Sequence, residues 1–257
     1  MVDIKLGSMV SEITGDGAAV VLIHGLGGSS NSFQPLMSAL RGFRAIRPDL
    51  PGAGRSAIRP GLAGLKGLAA AVAEMLRAQA IAEAHFVGHS MGTVICQELA
   101  VSQPDLVKSM TLFGPILEPP AAAREALKVR AEEARKNGMS GIADMVSTAS
   151  LSAKTKDTNS AVAAFVRESL MRQDPAGYAR HCEALADMEP PDHDAISCPT
   201  RLVTGAEDVV APPKMGENLA ARIAGAELHV LPNCGHWTMM EMPSESAEHL
   251  CLQLGVN

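Results

Sequence analysis

Aromatic side chains are scarce in this sequence, with five Phe, one Tyr and one Trp among 257 residues. An apolar cavity built from such a chain must be walled mainly by Leu, Val, Ile and Met, which mould around a guest rather than stack flat on it. Cysteine offers no framework either. Cys96, Cys182, Cys198, Cys234 and Cys251 are odd in number and widely scattered, with no C-x-x-C pair, which argues against a disulfide scaffold or a zinc knuckle and suits a reducing, cytoplasmic setting. Positive charge is also short. The formal net charge of -6 leaves no broad cationic surface for nucleic acid or anionic lipid. Long apolar runs are missing: stretches such as Ala18 to Ile23 fall far below the roughly 20 residues of a membrane span. Asp3 and Lys5 precede any apolar run, so the N-terminus lacks the order of a secretory signal. The expectation is a soluble protein with no nucleic-acid or membrane partner, and a homo-oligomer is left open.

What the sequence does contain is alternation. At 47% hydrophobic the chain can bury a sizeable core. Short apolar runs recur, each followed by a glycine-containing turn and a helical pattern: residues 18–25, 43–52, 85–90, 109–114, 200–208 and 226–232. That order implies an α/β fold with a mostly parallel sheet, and near-continuous apolar strands such as Val20 to Ile23 suit burial on both faces. The opening "VDIKLGSMVSEITGDG" reads as an antiparallel hairpin leading in. After Pro115 the alternation stops, and helical patterns alone continue to about Asp194, with Gly138 placed as the stop of the first. The division expected is a core in two parts, 1–117 and 195–257, with a helical lid at 118–194 between them.

The segment Gly88-His89-Ser90-Met91-Gly92 fits G-x-S-x-G, with a strand before it and a helix after it. In so sharp a turn the glycines avoid Cβ clashes, the serine oxygen projects above the sheet edge, and the helix N-terminus faces developing negative charge. A neutral serine is a weak nucleophile and needs a base and a group to orient that base. Among the eight histidines, His89 adjoins Ser90 on the strand end and points to the other side. His85 and His89 are roughly 13 Å apart along a strand, too far to share a metal. His24 braces the glycine-rich turn, His229 and His249 fall within strand and helix patterns, and His181 and His193 are the two outside the catalytic loops with most claim to touch substrate. His236 follows the last strand through Asn233-Cys234-Gly235, at the carboxyl edge where parallel-sheet sites lie. Asp208 ends the preceding strand at the same edge, while Glu207 alternates with it and faces away. Glu118 is the competing acid. The order Ser90, Asp208, His236 is that of a serine triad on an α/β sheet.

These motifs resemble the α/β-hydrolase family: "HGLGGSSNSF" its oxyanion loop, "DLPGAGRS" the loop after the next strand, "GHSMG" its nucleophile elbow, "GAED" its acid turn and "CGHW" its histidine loop. The resemblance implies an eight-stranded, mostly parallel sheet with helices on both faces and an inserted lid. It further implies oxyanion donors at the N–H groups of Leu26 and Met91, and no metal or organic cofactor. Thr93 and Ala53 depart from the family's pattern, the first beside the elbow and the second in a pocket wall. The segment Asp174 to Leu185 is similar to the lid of 3-oxoadipate enol-lactonases and related small-ester hydrolases, which implies an ester or lactone substrate. His24, Gly25, Trp237 and Arg180 are candidate substrate contacts, and Arg124, Arg130, Arg167 and Arg172 are further lid cations that could pair with a carboxylate. Met91, Met239 and Met240 either mould around an acyl group or fill core.

Three other readings compete. Carbon-carbon bond hydrolases of ring-cleavage products share a Trp after the histidine, though their elbows usually carry Asn where this chain has His89. Ligand receptors and cofactor-free haloperoxidases of the same fold can keep the triad. A dinucleotide site is disfavoured because "GLGGSS" has Ser30 where G-x-G-x-x-G needs its last glycine, and no G-x-x-x-x-G-K-[ST] occurs.

Overall fold

The computed structural model describes residues 2–6 and 9–256, with side chains from Met9 onward. Eight strands form one sheet: β1 (Val2–Leu6), β2 (Met9–Thr14), β3 (Ala18–Ile23), β4 (Phe43–Pro48), β5 (Ala84–His89), β6 (Val107–Phe113), β7 (Thr200–Gly205) and β8 (Glu227–Leu231). Their spatial order is β1-β2-β4-β3-β5-β6-β7-β8. The expected leading hairpin is present as antiparallel β1 and β2, and β2 runs antiparallel to β4; the hairpin's turn at residues 7 and 8 lies outside the described residues. All other pairs are parallel. Val20 to Ile23 of β3 are wholly buried, as strands covered on both faces must be.

The chain leaves β3 toward β4 on one side and returns to β5 on the other. The loops after β3 and β5 therefore diverge and open a crevice at the strands' carboxyl ends, the topological switch point where open α/β sheets bind ligands. Helix α1 (Gly64–Ala78) buries Leu65, Leu68, Ala69, Val72, Ala73 and Leu76 at helical spacing. It packs on α2 (Met91–Ser102), which is buried from Met91 through Ala100. A helix apolar on nearly all sides belongs inside a protein.

Five helices lie between β6 and β7: α3 (Ala121–Asn137), α4 (Ser140–Ala149), α5 (Ala153–Thr158), α6 (Ser160–Met171) and α7 (Pro175–Ala186). Gly138 ends α3 with φ +78, a conformation glycine adopts without Cβ penalty. Helix α3 packs along α7, and α4 along α6. Arg124 staples the two ends of the insertion, donating from Nε to Pro119 O at 2.9 Å and from Nη1 to Ala186 O and Met188 O at 2.6 and 2.9 Å. Helix α7 lies directly on the loop after β4, so close that a Cβ on Gly177 would overlap the Gly52 carbonyl. The chain closes through α8 (Pro213–Ala220), the short α9 (Thr238–Glu241) and α10 (Pro243–Leu254). Helix α10 packs against a 3-10 segment at Ser30–Leu40. Among the described residues no helix is long and apolar enough to cross a membrane.

Two buried histidines tie the loops together. His24 receives the Leu50 N–H on Nε2 at 3.0 Å, so its proton sits on Nδ1 and goes to Gly25 O at 2.8 Å. His181 of α7 donates from Nε2 to Pro51 O at 2.9 Å. Burial holds both imidazoles below their ordinary pKa, His181 at about 4 with His24 nearby adding to the effect. A neutral buried histidine binds fewer protons than its unfolded counterpart below about pH 6.5. Stability is therefore fully present above that pH and is lost as pH falls toward 4, by up to ~1.4 kcal/mol per pH unit per histidine. Denaturant unfolding from pH 7 to 4 should show this slope, and His181→Gln, which keeps an N–H for Pro51, should lower it by about one proton's worth; equal slopes would mean that His181 is already charged in the fold.

Candidate active site

The elbow is built from close backbone approach. Strand β5 ends at His89 and α2 begins at Met91, leaving Ser90 alone at φ 53 and ψ -121. Such a conformation costs a non-glycine residue roughly 1–3 kcal/mol and persists only where its surroundings over-determine it. They do so here. Ser90 N–H donates to Phe113 O at 2.9 Å, and Ser90 O accepts from Thr93 N at 2.8 Å and from the Thr93 hydroxyl at 2.6 Å. A Cβ on Gly88 would sit 2.7 Å from Gly92 O, and a Cβ on Gly92 would overlap Ile23 O at the end of β3.

Above the serine lies the loop after β3. Gly28 N–H closes a turn onto Gly25 O at 3.0 Å, with Gly27 at φ +77, the positive φ that a type II turn requires at its third residue. Gly25 packs so near that a Cβ there would fall 2.8 Å from Ser90 Cβ. Among the described residues neither Leu26 N–H nor Met91 N–H has a hydrogen-bond acceptor, the first because it opens the turn and the second because it opens a helix.

Asp208 and His236 meet across two loops. His236 Nδ1 donates to Asp208 Oδ2 at 2.8 Å, and both side chains are buried. The other carboxylate oxygen accepts from Val210 N and Ala211 N, each at 2.8 Å. Gly114, at φ +56 beyond β6, makes room for the pair: a Cβ there would lie 3.0 Å from the imidazole and 3.4 Å from Asp208 Oδ2. The His236 backbone is gripped at both ends, its N–H donating to Ser150 O at 2.8 Å and its carbonyl accepting from His89 Nε2 at 3.0 Å. The His89 and His236 rings are 4.9 Å apart, centroid to centroid, so the His236 imidazole sits beside the elbow. Burial drives the pKa of His89 well below its ordinary value, which keeps His89 a neutral donor. Among the described residues Ser90 Oγ makes no hydrogen bond to His236; such contacts often tighten only with substrate in place.

The remaining candidates divide. Gly25 adjoins Ser90, but His24 has both ring nitrogens committed to backbone beneath the loop. Trp237 donates its indole N–H to Ser150 Oγ at 3.1 Å and stacks 5.0 Å from His89. Arg180 does not reach the elbow: α7 buries Tyr178, Ala179, His181 and Cys182, so residue 180 falls on the outer face, in a groove with Leu62, Lys66 and Glu183. His181 and His193 are both buried and spend Nε2 on the protein, the first on Pro51 O at 2.9 Å and the second on Gln97 Oε1 at 2.8 Å. Arg124 is the staple, Arg167 pairs with Asp144 at 2.6 Å, Arg130 lies by Tyr178 and Cys182, and Arg172 is exposed in a groove with Ser29 and Glu168. Glu118 is exposed beside Arg124 rather than at the imidazole. Glu207 turns away from His236 and accepts from Ala153 N at 2.8 Å. Met91, Met239 and Met240 are buried as core. Among the described residues no cluster of three or more His, Cys, Asp or Glu could hold a metal ion.

Sequence reasoning missed four supporting side chains. Thr93, read only as a departure, locks Ser90 O and accepts from Ile116 N at 3.1 Å. Gln173, just past α6, donates to Gly27 O and Gly28 O, each at 3.3 Å, and Ser169 Oγ donates to Gly27 O at 2.8 Å. Glu241 accepts from Gly235 N, Trp237 N and Ser152 N. Only Thr93, three residues past the serine, carried any local signal.

Residues 20–249 match the model of the Alpha/beta hydrolase family. The chain is 28% identical to 3-oxoadipate enol-lactonase 1 of Acinetobacter baylyi, covering 88% of this chain and 85% of that one. It is also 28% identical to 2-hydroxy-6-oxo-6-phenylhexa-2,4-dienoate hydrolase of Burkholderia cepacia, over 88% of this chain and 84% of the other. The crystal structure of the enol-lactonase from Burkholderia xenovorans LB400 superposes with a TM-score of 0.91 at 28% identity, covering 96% of each chain. With its eight-stranded sheet, its glycine-flanked elbow and a match running through nearly all its length, the chain belongs to the alpha/beta hydrolase family.

Proposed function

We propose that the protein is a serine hydrolase of small esters or lactones. The observation that carries this reading is the buried 2.8 Å bond from His236 Nδ1 to Asp208, placed at the elbow that projects Ser90. With Nδ1 protonated, Nε2 of His236 is the free lone pair, the form a general base requires. Ser90 Oγ attacks the carbonyl carbon as its proton passes to Nε2, and Asp208 stabilises the imidazolium. The Leu26 and Met91 N–H groups receive the oxyanion. The imidazolium then protonates the departing alkoxide, which in a lactone stays tethered to the acyl group. Water, deprotonated by His236, releases the acid and restores Ser90. Residues 118–194 act as the lid over this site, joined to a core of 1–117 and 195–257. The likeness to an enol-lactonase supports the lactone or ester reading.

A second reading is carbon-carbon bond hydrolysis of ring-cleavage products, favoured by Trp237 after the base and by the likeness to the Burkholderia cepacia hydrolase. Comparing an enol-lactone, a p-nitrophenyl ester and a vinylogous diketone on one enzyme separates the two by which gives the highest kcat/KM. Turnover of none would favour a receptor.

Ser90→Ala should remove nearly all p-nitrophenyl ester turnover while leaving the circular dichroism spectrum unchanged, and retained turnover would reject the nucleophile. Asp208→Asn should lower kcat on the order of 10⁴-fold, as the same change does in the trypsin-type triad, because the imidazole then holds the wrong tautomer. A nearly silent Asp208→Asn together with a damaging Glu118→Gln would move the acid to residue 118.

A further inference from the structure

The reaction proposed above uses the side chain of His236 and leaves unexplained why its backbone is so heavily bonded. The N–H groups of the residues on either side of it are held by one carboxylate. Glu241 Oε1 accepts from Gly235 N at 3.1 Å and from Trp237 N at 3.2 Å. Its other oxygen, Oε2, accepts from Ser152 N at 2.8 Å, in the segment between α4 and α5. That segment also receives the His236 N–H on Ser150 O at 2.8 Å and the Trp237 indole N–H on Ser150 Oγ at 3.1 Å. Ser150 and Ser152 are buried, and a Cβ on Gly235 would fall 2.7 Å from both Ser150 O and Ser152 N. The histidine loop and the insertion are in backbone contact there, and Glu241 bridges the two backbones through its own two oxygens.

We propose that Glu241 is a positioning residue for the base: it fixes the loop Gly235–Trp237 against Ser150–Ser152, so that the helical insertion completes the geometry of His236. The inference rests on the reading of His236 as the general base. The chemistry of the bridge needs a carboxylate. Three N–H donors converge on it, two at one oxygen and one at the other, and an ionised carboxylate has acceptor sites for all of them. An amide has a single acceptor oxygen, so glutamine can hold the histidine loop or the Ser152 N–H, not both. Alanine holds neither and leaves three donors without a partner.

The test uses the full-length protein with p-nitrophenyl ester turnover, amide hydrogen exchange of residues 150–153 and 235–237, and thermal unfolding. Glu241→Ala should lower kcat about 10- to 100-fold with KM within about twofold, because a small misplacement of the base costs rate rather than binding. Glu241→Gln should recover part of that loss and show faster exchange at Ser152. Wild-type kcat in both variants would overturn the inference, as would an equal loss in kcat and rise in KM with unchanged exchange. Where Glu241→Ala fails to fold, Glu241→Gln decides alone: lowered kcat at unchanged KM with faster Ser152 exchange supports the bridge, and wild-type values overturn it. Ser90→Ala run in parallel keeps the two claims apart, since its inactivity alongside a silent Glu241→Gln rejects the bridge and leaves the triad standing.

Discussion

The close approach of α2 to the end of β3 governs where everything else in the site can be. Gly92 passes so near Ile23 O that no side chain fits between them, and this contact sets how sharply the chain must turn after β5. The turn places Ser90 at positive φ. The strain, of order 1–3 kcal/mol, is outweighed by the burial of α2, where each apolar side chain such as Val94, Ile95 or Leu99 contributes roughly 1.5–3 kcal/mol. The same contact brings the N-terminus of α2 beside the loop after β3. Two backbone N–H groups from distant parts of the chain, Leu26 and Met91, thereby share one edge of the sheet without any side chain being needed to aim them.

That loop has its own support in a set of buried charges. Asp49, at the end of β4, accepts from Ser30 N at 2.7 Å and from Arg55 N and Nε at 3.0 and 2.8 Å. Burial alone would raise the pKa of this carboxyl, but those hydrogen bonds outweigh it and hold the group below its ordinary value. Arg47 pairs with Glu12 at 2.7 Å and donates to Ser30 O at 3.2 Å. A buried pair of this kind adds little net stability over an apolar substitute, yet breaking one partner leaves an uncompensated charge. Its effect is on geometry, since the loop after β3 is held at Ser30 by acid and base together.

The difference between what the sequence made legible and what it did not follows the range of the interactions. Strand β3 was readable because a buried parallel strand needs a continuous apolar run, and Val20 to Ile23 is such a run, while the strands after it, the half-exposed edge strand β8 included, were readable from shorter apolar runs beside turn residues. The elbow was readable because G-x-S-x-G between a strand and a helix is a local pattern, although only Gly88 answers to atoms within a few residues while Gly92 answers to Ile23 O of β3. Gly114 was not, because its reason for being glycine is the His236 and Asp208 pair, met only after folding. The place of Arg180 was not legible either: a helix in isolation does not say which positions will be buried, and α7 leaves residue 180 exposed while it buries Tyr178, Ala179, His181 and Cys182. Glu241 and Gln173 were invisible because polar side chains that serve backbone groups of another segment leave no periodicity behind.

These long-range bonds change how the insertion should be regarded. At one side of the site Ser169 and Gln173 hold the carbonyls of Gly27 and Gly28. At the other, Ser150 receives the N–H of His236, and Ala153 donates to Glu207 next to the acid. A rigid lifting of all five helices would break both sets at once, releasing the loop of Leu26 and the loop of His236 together. Each lost bond to a buried group costs about 1–3 kcal/mol, so such a motion would disassemble the site it uncovers. Between the two anchors α4 packs along α6, and the Arg167 to Asp144 pair at 2.6 Å ties those helices to each other. The insertion is thus continuous with the loops of the sheet at both anchors, and again where α7 seats Gly177 on Gly52 and His181 donates to Pro51 O, so the site's loops and the insertion hold one another in place.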